Sequence, residues 1–200
     1  MRFRLITSEG TADVAIPALG RHSVHNALAA AAVGLTAGLT LDDIIAGLAR
    51  PLRMPHRTTL IDTGRWIILD DTYNAAPDSM IAALDLLATL PGRRVAVLGE
   101  MRELGPEREA SHGKVGAYAA HTADILVGVG APAQIYADAA EAAGMDPGFV
   151  HTATDREVAL RGLQHILRDG DVVLLKASNG ERFFDLVDAL RELSQTEPVA

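Results

Sequence analysis

The sequence contains no cysteine, which excludes disulfides, thiolate nucleophiles and thiolate metal sites. That absence is typical of a cytoplasmic protein. Lysine is scarce as well, since Lys114 and Lys176 stand against sixteen arginines. The longest apolar stretch, residues 27–39, is interrupted by Gly34 and Gly38 and falls short of the ~20 residues that a bilayer-spanning helix needs. We therefore expect no membrane association.

Positive charge is also in deficit. The 26 acidic side chains exceed the 18 basic ones and give a formal net charge of −8. A surface of that sign repels phosphate backbones rather than attracting them, so nucleic acid is not an expected partner. With 48% apolar residues and 22% charged residues, the composition is that of a packed globular protein.

The first quarter of the chain predicts a small unit of its own. Two short strands at residues 3–7 and 12–17 precede an alanine-rich helix at residues 22–37, which is apolar almost all round and is expected to be buried. Thr40 and Asp43 have capping-box spacing and predict a second helix at residues 41–49. Prolines at 51 and 55 end that helix, and we place the domain boundary between residues 54 and 55.

From residue 55 onwards, short apolar strands alternate with longer helical segments. This alternation predicts an α/β domain over residues 55–200, with a mostly parallel sheet and helices on both faces. A Thr-Gly-Arg turn joins the first two strands, so one antiparallel edge is expected. The predicted strands are 57–62, 66–70, 94–98, 125–129, 149–152 and 172–175, and the predicted helices are 77–90, 106–121, 131–143, 154–168 and 180–193.

Two common ligand motifs are absent or weak. The sequence has no G-x-x-x-x-G-K-[ST] loop, which is the usual cradle for nucleotide phosphates. Residues 128–133 resemble a dinucleotide-binding G-x-G-x-x-A, but the next predicted strand ends in His151 and Thr152 rather than in an acid that could hold a ribose. A tight strand-to-helix turn explains those glycines adequately. His22 and His25 lie one helical turn apart without a third ligand at a matching spacing, so a structural role is the better interpretation.

Polar residues gather where predicted strands end, which in an open α/β sheet is the ligand-binding edge. Asp70 and Asp71 close one strand, and alternation sends their side chains to opposite faces. One of the two carboxylates would remain free for a ribose-like diol. Lys176 and Ser178 follow the last strand and form a candidate anion site. Capping of strands and helices by the same residues remains the open alternative.

Three strings occur in a characteristic order. Residues 20–30 read GRHSVHNALAA, residues 55–57 read PHR, and residues 70–80 read DDTYNAAPDSM. Further strings are LGEMRELG at residues 98–105 and LKAS at residues 175–178. Together they resemble the Mur ligase family over essentially the whole chain. The tyrosine-containing string is most similar to the members that add D-alanyl-D-alanine.

The resemblance implies a domain assignment and a reaction. Residues 1–54 would be the C-terminal remnant of the central ATP-binding domain, and residues 55–200 the Rossmann-like C-terminal domain. The parent enzyme would use ATP and Mg²⁺ to activate the carboxylate of UDP-N-acetylmuramoyl-tripeptide as an acyl phosphate, which the amine of D-alanyl-D-alanine attacks. This peptidoglycan-synthesis step would be cytoplasmic, and the missing N-terminal domains would be partners of this chain.

The resemblance also implies roles for individual residues. Asn26 would contact adenine, Arg57 the phosphates and Asp71 the ribose, with Tyr73 and Asn74 beside that site. Lys176 and Ser178 would bind the incoming substrate. No catalytic residue and no metal ligand is assigned within this chain, because the family's P-loop and magnesium ligands lie in the preceding part of the protein.

Two positions depart from the family pattern. Ser23 stands where asparagine is usual, and Asn179 stands where arginine is usual, so contacts implied at these positions are not carried over. We expect the fragment alone to be inactive, and we expect an exposed apolar patch within residues 1–49. A free-standing nucleotide- or peptide-binding module and a ligase resembling folylpolyglutamate synthase remain alternatives, and the Tyr73-Asn74 pair argues against the second.

Overall fold

A computed structural model describes residues 1–51 and 54–195. The chain forms two compact units, Met1–Met54 and Pro55–Ala200. Among the described residues, no helix combines the length and the hydropathy that crossing a membrane would require.

The first unit packs two helices on a β-hairpin. Strands β1 (Arg2–Thr7) and β2 (Gly10–Ala15) pair antiparallel, and helices α1 (Arg21–Thr36) and α2 (Leu41–Leu48) follow. The predicted capping box at the start of α2 is confirmed, because the Asp43 N–H donates to Thr40 Oγ1 over 3.2 Å and the Thr40 N–H donates to the Asp43 carboxylate. A small apolar core lies between these elements.

The expected burial of the alanine-rich helix is wrong. Only Ala27, Ala31 and Gly34 are buried along α1, whereas Leu28 is 42% and Val33 is 70% exposed. Within the first unit, α1 packs its Ala27/Ala31/Gly34 face on the small core, and its opposite face stays exposed to solvent. The predicted exposed apolar surface is therefore present on this helix.

The second unit is the predicted α/β domain. Its six-stranded sheet has the order β3-β4-β8-β5-β6-β7, and β3 pairs antiparallel with β4 while all other pairs are parallel. The predicted antiparallel edge is thus confirmed. The strands are β3 (Thr59–Asp62), β4 (Ile67–Asp70), β5 (Arg94–Leu98), β6 (Ile125–Val129), β7 (Val150–Ala153) and β8 (Val172–Lys176).

Helices cover both faces of this sheet, which confirms the predicted fold class. Helices α3, α4 and α5 pack side by side, and α6 and α7 pack together on the opposite face. Their bounds are α3 (Pro77–Ala88), α4 (Arg108–Ala119), α5 (Ala133–Ala142), α6 (Arg156–Ile166) and α7 (Phe183–Leu193). Strands β5 and β8 are buried along almost their whole length, as expected for a parallel sheet covered twice.

Two elements begin later along the chain than the sequence predicts, and in both cases the backbone conformation is the reason. Strand β3 begins at Thr59 rather than residue 57, because His56 and Thr58 have φ angles of 60° and 47°, which no β-strand accommodates. Helix α7 begins at Phe183 rather than residue 180, because a 3₁₀ turn at Asn179–Glu181 is followed by Arg182 with φ 52°. Sequence periodicity carries no signal for such left-handed residues when they are not glycine.

Helices α4 and α5 approach closely at a glycine. A Cβ added at Gly116 would lie 2.6 Å from the carbonyl oxygen of Tyr136, whereas a Cβ at Gly113 would meet only Ala139 and Ile135 side-chain carbons at 4.0 Å. Both glycines lie within α4. The first is therefore a packing requirement and the second is not.

We expect Gly116→Ala to lower the free energy of unfolding by about 1–3 kcal/mol, because the helices must separate. Gly113→Ala on the same helix is the matched control and should raise that free energy by up to about 1 kcal/mol through helix propensity. Urea denaturation of both variants measures the difference. Equal effects of the two substitutions would contradict the proposed close packing.

Candidate functional site

The polar residues of the second unit converge at the carboxyl ends of the central strands. Strand β8 lies between β4 and β5. The helices that follow β4 and β5 pack on one face, whereas α7, which follows β8, packs on the other. Neighbouring strands whose connections leave in opposite directions open a crevice between their ends, and such crevices are where α/β proteins bind ligands.

Asp70 is the buried member of the carboxylate pair. Its side chain is 4% exposed, and one oxygen accepts hydrogen bonds from the Thr72 backbone N–H and from Thr72 Oγ1. The other oxygen lies 2.9 Å from His56 Nδ1, and the His56 ring packs on Phe184 of α7 at a centroid distance of 5.5 Å. Asp70 therefore anchors residue 56 to the tip of β4.

Asp71 faces the opposite way, as alternation predicts, but it is not free. Thr58 donates to Asp71 Oδ1 from its backbone N–H over 2.9 Å and from its hydroxyl over 3.2 Å, and Lys176 Nζ lies 2.5 Å from Oδ2. Three of the roughly four acceptor positions of a carboxylate are thereby occupied. The expectation that Asp71 has an unengaged carboxylate for a diol is wrong, since it can accept about one further hydrogen bond.

Lys176 and Ser178 lie inside the domain rather than towards an incoming ligand. The Lys176 side chain is 3% exposed, and its ammonium also donates to the Asn74 carbonyl oxygen over 2.8 Å. Burial lowers the pKa of the Lys176 ammonium, and the Asp71 carboxylate opposes that shift. Ser178 is 4% exposed, and its hydroxyl accepts the Arg102 N–H over 2.9 Å. Both side chains are therefore engaged inside the domain, which the expected role in binding an incoming substrate did not anticipate.

Arg57 and Tyr73 form the accessible part of this region. Both residues are exposed, and the Arg57 guanidinium carbon lies 4.0 Å from the centroid of the Tyr73 ring. Such a cation–π contact orients a guanidinium while leaving its N–H donors available. The structure thus brings together Arg57, Asp71, Tyr73 and Asn74. Asn26 is exposed on α1, in the first unit.

A cleft of about 540 Å³ opens at the tips of β5 and β8. Its wall is the segment of residues 99–105, which several side chains hold in place. Glu100 pairs with Arg108 through two hydrogen bonds of 2.7 and 2.8 Å, and Arg108 holds the pKa of that carboxyl below its usual value. Arg102 binds Glu181 on the opposite side of the cleft over 2.9 Å.

His112 is a structural residue of this cleft that sequence analysis missed. It is fully buried, its Nε2 accepts the Met101 N–H over 2.9 Å, and its Nδ1 lies 2.6 Å from the Arg108 carbonyl oxygen. Only the neutral tautomer with the proton on Nδ1 satisfies both contacts. The available signal was its place on the inner face of α4, although that position does not reveal a partner eleven residues earlier.

The weaker sequence motifs receive structural explanations. Gly130 has φ 81°, so the turn between β6 and α5 requires it, and a Cβ at Gly128 in β6 would lie 2.7 Å from the Ala133 carbonyl oxygen at the start of α5. Among the described residues, no group of three or more histidine, aspartate or glutamate side chains is arranged to hold a metal ion.

Comparison with known proteins gives a consistent result. The sequence profile of the Mur ligase, glutamate ligase domain matches residues 56–179. The chain is 39% identical over 194 residues to the UDP-N-acetylmuramoyl-tripeptide--D-alanyl-D-alanine ligase of Escherichia coli, covering 95% of this chain and 41% of that protein. The corresponding ligase of Mycobacterium tuberculosis is 38% identical over 213 residues, with 94% and 41% covered.

Solved structures agree. MurF from Acinetobacter baumannii superposes with a TM-score of 0.84 at 31% identity, covering 96% of this chain and 42% of that one. MurF from Thermotoga maritima gives 0.77 at 24% identity, a likeness of fold. The chain thus spans about two fifths of the length of the curated relatives it matches, and the match lies in their C-terminal part.

We expect the stability of this domain to fall in mild acid because of His112. Burial lowers the pKa of His112 in the folded state, whereas the unfolded chain has the ordinary value of about 6.5. Above that pH, the His112 imidazole is neutral in both the folded and the unfolded state, so its titration does not reduce the free energy of unfolding. Below it the unfolded state binds the extra proton, and the free energy of unfolding decreases by up to about 1.4 kcal/mol per pH unit.

Urea denaturation between pH 7.5 and 5.5 measures this slope. In His112→Gln the slope attributable to this group should disappear, whereas His121→Gln, at an exposed position, should keep it. A wild-type slope that survives in His112→Gln would contradict the assignment.

Proposed function

The chain belongs to the Mur ligase family, and from that premise we propose that it is the C-terminal part of an ATP-dependent ligase. The reaction would join D-alanyl-D-alanine to UDP-N-acetylmuramoyl-tripeptide in peptidoglycan synthesis. The names of its relatives, at 38–39% identity over nearly the whole chain, support this substrate pair. Because these substrates are soluble cell-wall precursors, we place the reaction in the cytoplasm and link it to cell shape and division.

The proposal includes a division of labour between the two units. Residues 1–54 would complete the central ATP-binding domain, and residues 55–200 would form the C-terminal domain. The sequence carries no P-loop, and its described residues include no cluster suited to a metal. The phosphate cradle and the Mg²⁺ ligands would therefore come from the other three fifths of the parent protein.

One observation carries the nucleotide-binding part of the proposal: an exposed guanidinium is fixed on an aromatic ring at the carboxyl edge of the sheet. Arg57 on Tyr73 has the donors to form paired hydrogen bonds with phosphate oxygens. Asp71, with about one acceptor position left, would take a single ribose hydroxyl rather than both. Asn74 would flank this contact, and Asn26 of the first unit would contact the adenine.

Lys176 and Ser178 would serve the peptide side of the reaction indirectly. The Lys176 carbonyl oxygen accepts the Gly99 N–H over 3.0 Å, and the Ser178 hydroxyl accepts the Arg102 N–H. Both residues thereby hold the 99–105 segment that walls the cleft. This cleft would receive the dipeptide, and its carboxylate would have to compete with Glu181 and Glu100 for the Arg102 and Arg108 guanidinium groups.

We expect the isolated chain to bind ATP with a dissociation constant in the millimolar range and to release no ADP. Phosphoryl transfer depends almost wholly on positioning and charge neutralisation, and a half-site without a phosphate cradle binds weakly. Calorimetry with ATP and an ADP-release assay test both points. Micromolar binding would instead favour an independent nucleotide-binding module.

In the longer polypeptide that contains a P-loop, ADP release should require both D-alanyl-D-alanine and the UDP-linked tripeptide. Arg57→Ala should lower kcat/KM for ATP by about tenfold or more, the loss expected for a hydrogen bond to a charged group. Arg161→Ala, at an exposed position on α6, is the matched control and should leave kcat/KM unchanged. Equal behaviour of the two variants would contradict the phosphate contact.

A further inference from the structure

The buried ammonium of Lys176 lies too deep to reach a ligand in the crevice. Its side chain is 3% exposed, and two of its three donors are occupied, one by Asp71 Oδ2 at 2.5 Å and one by the Asn74 carbonyl oxygen at 2.8 Å. It therefore connects the end of β8 to the segment that follows β4. A buried ion pair is weak evidence for a contribution to stability. The role of this ion pair therefore depends on the other contacts that Asp71 makes.

Asp71 holds a strained turn. Residues 56–58, here called the 56–58 turn, have left-handed backbones at His56 (φ 60°) and Thr58 (φ 47°). That conformation is a genuine outlier for a β-branched residue such as threonine. Strained residues persist only where their surroundings over-determine them, and they concentrate at functional sites.

Three anchors impose this conformation. The Tyr73 N–H donates to the His56 carbonyl oxygen over 2.9 Å, Asp70 holds the His56 ring, and Asp71 accepts the Thr58 N–H. Asp70 is the last residue of β4, and Asp71 and Tyr73 lie on the segment that follows it. The residue between the two left-handed positions is Arg57, whose guanidinium lies on Tyr73.

The Asp71 anchor needs a cation. Its side chain is only 15% exposed, and the Thr58 N–H and hydroxyl at its Oδ1 are neutral donors. Without an ammonium at Oδ2, the Asp71 carboxylate gains by rotating towards water, and that rotation releases Thr58. Lys176 is thus the group that keeps Asp71 in the orientation that the 56–58 turn requires.

We propose that Lys176 is a positioning residue that acts through Asp71 and Thr58 to fix the Arg57 guanidinium on Tyr73 for its contact with the phosphates of a nucleotide. The nucleotide part of this statement rests on the function proposed above. The positioning part does not, because it concerns the conformation of the 56–58 turn in the free protein.

The first experiment measures that conformation by NMR in the 200-residue chain. In the wild type, the Thr58 amide should be protected from hydrogen exchange and the Arg57 Nε–H should be ordered. In Lys176→Met, both the protection and the order should be lost while the strands of the sheet remain protected. Lys114→Met replaces the other lysine, which is exposed on α4, and should change neither signal.

A folding failure of Lys176→Met would not prevent a decision. If the Arg57 Nε–H of the wild type is as mobile as a free side chain, with an order parameter well below about 0.6, nothing is being positioned and the proposal is overturned. An Arg57 that remains ordered in a folded Lys176→Met protein overturns it equally.

The second experiment is a double-mutant cycle on ATP binding, followed through the Tyr73 resonances, which every variant keeps, up to the highest ATP concentration that stays soluble. Lys176→Met should weaken binding about as much as Arg57→Ala, roughly tenfold, and the double variant should be no weaker than Arg57→Ala alone. Additive losses would show that Lys176 acts independently of Arg57 and would overturn the proposal.

The two proposals fail in different ways. A wild-type chain whose Arg57 resonance does not respond to ATP contradicts the nucleotide-binding role, and with it the phosphate contact in the statement above. The exchange and order measurements still decide whether Lys176 positions Arg57. A wild-type response to ATP that is unchanged in Lys176→Met contradicts only the positioning role.

Discussion

The ion pair between Lys176 and Asp71 joins the ends of two neighbouring parallel strands, and the geometry of the region around Arg57 depends on it. A parallel sheet brings the ends of its strands to one edge but does not orient the side chains that follow them. Here a buried ammonium on β8 fixes a carboxylate after β4, and that carboxylate fixes the turn that carries Arg57. A buried ion pair is weak evidence for a contribution to stability. This ion pair fixes the arrangement of the side chains that hold Arg57.

The cleft beside β5 follows a similar logic. Its wall has no regular secondary structure between Gly99 and Leu104, so its backbone groups need side-chain partners. The neutral imidazole of His112 accepts one N–H, the Ser178 hydroxyl accepts the next, and the Tyr136 hydroxyl donates to the Gly99 carbonyl oxygen over 2.8 Å. A loop held in this way has a defined shape before any ligand arrives, which lowers the entropic cost of binding.

Much of the architecture could be predicted because, in most segments, the local sequence pattern agrees with the structure that the segment adopts. The bounds of β5 and β6 agree with the predicted ones, since each is a short apolar run between clear turn residues. The 56–58 turn could not be predicted, because its left-handed residues are imposed by two hydrogen bonds, one that Thr58 donates to Asp71 and one that Tyr73 donates to His56. The exposure of α1 was misjudged because an apolar composition shows that a helix can be buried but does not say what covers it.

The sequence predicted which residues meet at the site, but not all of the hydrogen bonds and ion pairs that they form. The DDTYN string and the PHR string do meet at one edge of the sheet, which places Arg57 beside Tyr73. Sequence alone did not reveal that Lys176 is internal, and this has a chemical consequence. Lys114 is exposed, whereas the Lys176 side chain is 3% exposed. Of the two lysine side chains of the folded chain, an amine-directed acylating reagent would therefore label chiefly Lys114, on α4.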